Sequence, residues 1–327
     1  MFDSAVPIID FQPFLDGTGK TETGLKMVQV MRDVGFMYII NHGIEINDQK
    51  RLFEWSKKFF KMDITQKQKC PHPINGAHHR GWSSIGKEKV VQMVFDEAKI
   101  EELRKVPDVK ESFDLGNPNN SYYPNIWPKD DDIPGFKEYC LYYFKVCDET
   151  SKKILRAISL GLGLEEEYLV SFHTASDNQL RLLHYPSTDE LSLKSGKSER
   201  IAAHTDFGTL TILLQDECGG LQVEDPKNPG VFSPAPYVPG SLVVNTGDFL
   251  MRWSNDVLKS TLHRVTAPPV DSSTGVSKER FSIPYFVSAD KNRVIDALPG
   301  TFSEENPKKY EPITAGDYLD RRLNATY

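Results

Sequence analysis

Four cysteines in 327 residues are too few for a disulfide scaffold. They read as free thiols of a reducing compartment, the cytosol or the nucleus. Cys140 and Cys147 stand two turns apart in an apolar helical stretch, where packing is their expected role. No apolar run approaches the roughly 18 residues of a membrane span, and the opening MFDSAVPIIDFQPF lacks the basic start of a signal peptide. Basic residues are outnumbered, 39 Lys and Arg against 46 Asp and Glu. A protein built to grip phosphate backbones is therefore not expected, nor is a membrane partner. HEXXH, Walker A and G-x-S-x-G are absent, and Gly161-Leu162-Gly163 lacks the third glycine of a dinucleotide fingerprint.

What is present divides into two textures. The first half mixes short strands with helices. VPIIDF (6–11) and FMYII (36–40) alternate or run apolar like strands, while 22–34 and 48–62 have helical periodicity. The stretch 64–133 reads as loops, with HHRGWSSIG at 78–86 either over a site or merely solvated, and an acidic–basic helix near 96–105. A long helix starts after Gly135, its apolar residues recurring at three- and four-residue steps. Beyond residue 178, short Val/Ile/Leu/Thr runs alternate with turn residues: 180–185, 201–206, 210–215, 221–225, 241–246, 260–266 and 280–287. That pattern predicts a sandwich or barrel, closed by a helix near 315–324.

Three pieces of this β-rich half converge on one chemistry. In His204-Thr205-Asp206, residues two apart share a strand face, so an imidazole and a carboxylate project together. An H-x-D alone arises readily by chance. His263 lies 57 residues after Asp206, on another strand-like run. Two His and one carboxylate on one side of a metal form the facial triad of non-haem Fe(II) oxygenases, although zinc accepts the same ligands. Arg280 and Ser282 follow on one strand face, 17 residues past His263. A guanidinium fork beside a hydroxyl suits a carboxylate, and Tyr185 can add a third donor. Arg181, on the same face as Tyr185, is a candidate polar substrate contact. Phe207 and Phe286 are candidates for the pocket mouth, with core filling as the alternative.

HTDFGTLTILLQDECGGLQV, VNTGDFLMRWSNDVLKSTLHRV and RFSIPYF, with VPIIDF and GFMYIINHGI at the start, resemble the 2-oxoglutarate and Fe(II)-dependent oxygenases of the isopenicillin N synthase-like group. The resemblance covers nearly the whole chain. It implies an α+β fold: a double-stranded β-helix, or jelly roll, wrapped by an N-terminal helical layer. It divides the chain into an N-terminal module with a long support helix (1–177) and a catalytic core with a C-terminal helix (178–327). It implies His204, Asp206 and His263 as catalytic iron ligands, and Arg280, Ser282 and Tyr185 as the holders of 2-oxoglutarate. The implied reaction consumes O2 and 2-oxoglutarate, releases succinate and CO2, and hydroxylates a small molecule.

LRLLHYP, RWSND–KSTLHRV and RRLNATY look most like segments of the fungal thymine hydroxylases, in which the positions of Arg181, Phe207 and Phe286 contact a flat pyrimidine. There are two departures. Leu183 stands where plant members often carry Asn, near one end of the cosubstrate. Phe207 stands where the thymine hydroxylases carry Tyr. Three rival readings compete: an iron oxidase without 2-oxoglutarate, a non-catalytic jelly-roll binding protein, and a zinc hydrolase. The last gives no purpose to the Arg280–Ser282 pair.

Overall fold

The computed structural model describes residues 6–73, 78–87, 108–189, 200–266 and 276–324. The helix expected near 96–105 lies outside them. The strands are β1 (Ile8–Asp10), β2 (Phe36–Ile40), β3 (Gly81–Ser83), β4 (Glu111–Gly116), β5 (Gln179–Tyr185), β6 (Thr188–Asp189), β7 (Ile201–His204), β8 (Leu210–Gln215), β9 (Leu221–Glu224), β10 (Phe232–Pro234), β11 (Leu242–Thr246), β12 (His263–Val265), β13 (Val276–Ser277), β14 (Arg280–Val287), β15 (Val294–Ile295) and β16 (Ile313–Thr314). The helices are α1 (Gln12–Leu15), α2 (Lys20–Asp33), α3 (Ile46–Phe60), α4 (Ile64–Lys67), α5 (Phe136–Gly161), α6 (Asp248–Trp253) and α7 (Ala315–Asn324).

Eight strands form one large sheet in the order β1-β2-β11-β8-β14-β5-β4-β3, and four form a smaller one, β10-β9-β12-β7. This is the α+β, jelly-roll arrangement expected from the sequence. Period-two alternation assigns the faces of the large sheet. Leu180 and Leu182 of β5, with Phe281, Ile283, Tyr285 and Val287 of β14, join the main apolar core with the helices. Their alternates, among them Arg181, Tyr185, Arg280 and Ser282, line a cavity. The ladder between β14 and β5 skips Ile283 and Pro284, where proline has no N–H to give.

The helical layer packs through aromatics. Phe59 of α3 stacks on Phe136 of α5 at 5.1 Å and meets Phe113 of β4 at 4.7 Å. Burying each such ring contributes roughly 1.5–3 kcal/mol. Helices α2 and α5 cross where Gly24 faces Gly161, and a Cβ on either would collide with the other helix's backbone. Cys140 and Cys147 sit buried in α5, and burial pushes both thiols up, which fits packing rather than redox chemistry.

Two sequence expectations are corrected. The stretch 64–133 is not only loops: β3 and β4 extend the large sheet beyond β5. All six residues of β4 are buried, Glu111 and Asp114 included, so its charges disguise it. The run 201–206 is shorter as a strand than expected, since β7 ends at His204 and Asp206 lies in the loop that follows.

His173 gives the fold a pH signature. Its Nδ1 lies 2.7 Å from Leu169 O and its Nε2 lies 2.9 Å from the Thr209 hydroxyl. Burial pushes its pKa down to about 4, from an ordinary 6.5. The unfolded chain therefore binds the extra proton first. Stability from this site is full above about pH 6.5 and is lost as pH falls toward about 4, by up to roughly 3 kcal/mol. His173→Gln is expected to flatten that part of the acid limb in urea unfolding at stepped pH. An unchanged slope refutes it.

Candidate active site

The small sheet brings the two imidazoles together. β12 runs antiparallel to β7 with His263 opposite His204, and the ring centroids are 4.2 Å apart. Phe36 packs edge-on against His263 at 5.1 Å. After His204 the chain leaves the sheet, and its next residues are tied to the start of α6. Asp248 N–H donates to Asp206 O at 2.8 Å, and the Thr205 hydroxyl donates to the Asp248 carboxylate at 2.9 Å. Gly247 lets these two backbones approach, because a Cβ on it would overlap Gly208 O.

The hydrogen bonds leave three ligand atoms facing one point. His204 Nδ1 lies 2.8 Å from Ala202 O and His263 Nδ1 lies 3.2 Å from Thr261 O. Carbonyls only accept, so both Nδ1 atoms carry the proton and both Nε2 atoms offer lone pairs. Asp206 Oδ2 accepts from Thr211 at 2.6 Å and from Asn245 at 2.8 Å. Its Oδ1 faces both rings, 3.9 Å from His204 Nε2 and 3.7 Å from His263 Nε2. The ligand atoms of the three residues lie within 4.8 Å of one another. Burial, reinforced by His263, pushes His204 well below the ordinary imidazole range, so the ring stays neutral. Burial opposes ionisation of Asp206. His263, His204, Asn245 and Thr211 together outweigh it and hold the carboxyl below its usual range. Two neutral nitrogens and one carboxylate, with their outer atoms already bonded, fit a divalent metal.

The other end of the cavity is cationic. Arg280 is 1% exposed. Its Nε donates to Gly219 O at 2.8 Å, its Nη1 donates to the Ser282 hydroxyl at 2.9 Å, and its guanidinium lies 5.0 Å from the Tyr185 ring centre. Those partners are neutral, and a buried cation with neutral partners favours entry of an anion. With its lone pair engaged by Arg280, Ser282 keeps its own O–H to donate.

Between the two ends, the cavity of about 210 Å³ is sized for small molecules. Arg181, Phe207 and Phe286 all line it. Arg181 is also paired with an acid: its Nε donates to Asp114 Oδ1 at 2.6 Å and its Nη2 lies 2.9 Å from His79 Nδ1. Arg322 of α7 sits over Phe207 at 4.5 Å and reaches Asp248 at 2.7 Å, which ties the last helix to the ligand loop.

Sequence reasoning does not single out Thr211, Asn245 or Asp114, and it leaves His79 between the site and a solvated loop. Thr211 and Asn245 interrupt otherwise apolar strands, and that interruption is the available signal. Asp114 and His79 have none, because their partner Arg181 is 67 and 102 residues away.

The chain is similar to proteins of a known family. Residues 6–130 match the profile described as non-haem dioxygenase in morphine synthesis N-terminal, and residues 176–289 match the 2OG-Fe(II) oxygenase superfamily. The 2-oxoglutarate-Fe(II) type oxidoreductase ppzD of Metarhizium rileyi is 35% identical over 98% of this chain and 91% of its own length. The proline hydroxylase buaE of Petromyces alliaceus is 36% identical over 98% of both chains. The crystal structure of Neurospora crassa thymine 7-hydroxylase in complex with alpha-KG and thymine superposes with a TM-score of 0.89 at 40% identity, covering 100% of this chain and 99% of that one. The chain belongs to the 2OG-Fe(II) oxygenase superfamily and is a 2-oxoglutarate-dependent dioxygenase.

Proposed function

We propose that this dioxygenase hydroxylates a pyrimidine base such as thymine. In this reading His204, Asp206 and His263 hold the Fe(II), while Arg280, Ser282 and Tyr185 hold the distal carboxylate of 2-oxoglutarate. The metal and cosubstrate supply the oxidising power, and the chain positions the reactants and keeps the site dry. Within the superfamily we place the chain in the isopenicillin N synthase-like group. Its free cysteines suit a cytosolic or nuclear setting.

One observation carries the substrate reading. Arg181 is locked by Asp114 and His79 on the cavity wall, with Phe207 and Phe286 lining the same cavity. A guanidinium only donates, so it favours the carbonyl oxygens of a uracil or thymine edge. Half-buried aromatics suit a flat heterocycle, since stacking offsets the water removed from its faces. The likeness to thymine 7-hydroxylase supports the same choice. The absent Tyr hydroxyl at Phe207 leaves Arg181 the larger share of recognition.

The test measures CO2 release from labelled 2-oxoglutarate with thymine, uracil analogues, free L-proline and a terpenoid acid, followed by product mass. Thymine is expected to stimulate turnover and gain one oxygen atom. Strong stimulation by proline or the terpenoid acid, with none by the pyrimidines, rejects the substrate and leaves the dioxygenase standing.

A further inference from the structure

We propose that Arg200 is a positioning residue for the cosubstrate, fixing the Tyr185 ring so that its hydroxyl stays aimed at the 2-oxoglutarate carboxylate. Arg200 does not line the cavity, whereas Tyr185 and Ile201, its neighbour in the chain, do. Its guanidinium lies 5.7 Å from the centre of the Tyr185 ring, and that of Arg280 lies 5.0 Å from the same centre. Leu183, Ile201 and Val265 cluster with Tyr185 in an apolar patch. An aromatic face attracts a cation, and more strongly where water is excluded.

The hydrogen bonds of Arg200 leave that attraction as its main support. The residue is 1% exposed. Its Nη2 donates to Lys278 O at 2.7 Å and to the Ser277 hydroxyl at 3.2 Å. Its Nε and Nη1 are buried and make no hydrogen bond. A buried cation whose hydrogen-bond acceptors are neutral needs stabilisation from elsewhere. The face of Tyr185 supplies it.

The place of Tyr185 in the sheet gives the contact a purpose. Tyr185 is the last residue of β5, Arg280 is the first of β14, and the two pair across the ladder. Pro186 follows with no N–H to extend that ladder. The ring therefore stands where the sheet stops, and its side chain needs an anchor beyond the strand. Arg200 ties it to the short β6–β13 pair, because the Ser277 hydroxyl also donates to Thr188 O at 3.0 Å. This rests on the reading that Tyr185 serves the distal carboxylate of 2-oxoglutarate.

The test is direct binding, without turnover. Full-length protein loaded with Mn(II) is titrated calorimetrically with 2-oxoglutarate and with oxalate, which mimics only the chelating end. Arg200→Met is expected to weaken 2-oxoglutarate by about three- to thirtyfold, the span of a cation–aromatic contact removed from water, and to spare oxalate. Arg200→Lys keeps a cation over the ring and should recover most of the loss. If Arg200→Met does not fold, Arg200→Gln replaces it, since its amide still offers an N–H to Lys278 O. Tyr185→Phe alone should weaken 2-oxoglutarate, and adding Arg200→Met to it should cost little more. Unchanged affinity in Arg200→Met overturns the proposal, and so does an equal loss of both ligands, which marks general damage to the fold. A full further loss in the Tyr185→Phe background also overturns it, because Arg200 then acts without that hydroxyl. Unchanged 2-oxoglutarate affinity in Tyr185→Phe alone removes Tyr185 from the carboxylate site and takes the proposal with it. A normal Tyr185→Phe loss with no effect of Arg200→Met sinks the proposal only.

Discussion

His263→Ala is expected to abolish 2-oxoglutarate turnover and iron retention while leaving the chain folded. The ring sits at the start of a short strand, its Nδ1 held by Thr261 O and its Nε2 aimed at the common point with His204 Nε2 and Asp206 Oδ1. Two remaining ligands leave a divalent ion mostly to solvent. Loss of an outer partner of a ligand already costs roughly 10–100-fold in metal affinity or activity, and loss of the ligand itself costs more. His204→Ala and Asp206→Ala should give the same null activity. The aspartate variant should also lose stability, about 1–3 kcal/mol, because the buried Thr211 hydroxyl and Asn245 amide lose their acceptor. Circular dichroism, urea unfolding and iron content separate these effects. Full activity with stoichiometric iron in any one variant would remove that residue from the metal site.

Arg280→Lys is expected to raise the KM for 2-oxoglutarate by about one to two decades, with kcat at saturation far less affected. Lysine keeps the charge and loses the planar fork. It also loses the geometry by which Nε holds Gly219 O and Nη1 holds Ser282, so the hydroxyl is no longer aimed. Steady-state kinetics over a wide 2-oxoglutarate range checks this. An unchanged KM would show that the cosubstrate carboxylate binds elsewhere.

The parts of this site that are legible in the sequence are those whose chemistry lies close together in the chain. His204 and Asp206 are two residues apart, Arg280 and Ser282 likewise, and both pairs fall in runs with strand character. The jelly roll is legible for the same reason, since short apolar strands between turn residues repeat from β5 to β14. What escapes is the support built from distant segments. ESFDLG reads as a polar loop because Glu111 and Asp114 look solvent-bound. Their partners are Lys67, Trp82 and His184 for the first, and Arg181, Gln179 and Ser112 for the second. Only the assembled sheet makes those charges compatible with burial. Asp206 shows the reverse case. A strand rule finds the residue, yet it sits just outside the strand, held by Asn245 and Thr211 rather than by the pleat.

The alternation along β5 works as a ruler. Under the proposed reading, Tyr185 marks the cosubstrate end and Arg181 the substrate end of the same strand face, four residues or roughly 13 Å apart. β4 and β14 flank β5 on both sides, so neither mark can slide without breaking ladders to both neighbours. The spacing between the two reactants is therefore written into covalent chain, not into a loop that evolution can lengthen. A one-residue insertion within the strand would turn one mark away from the cavity.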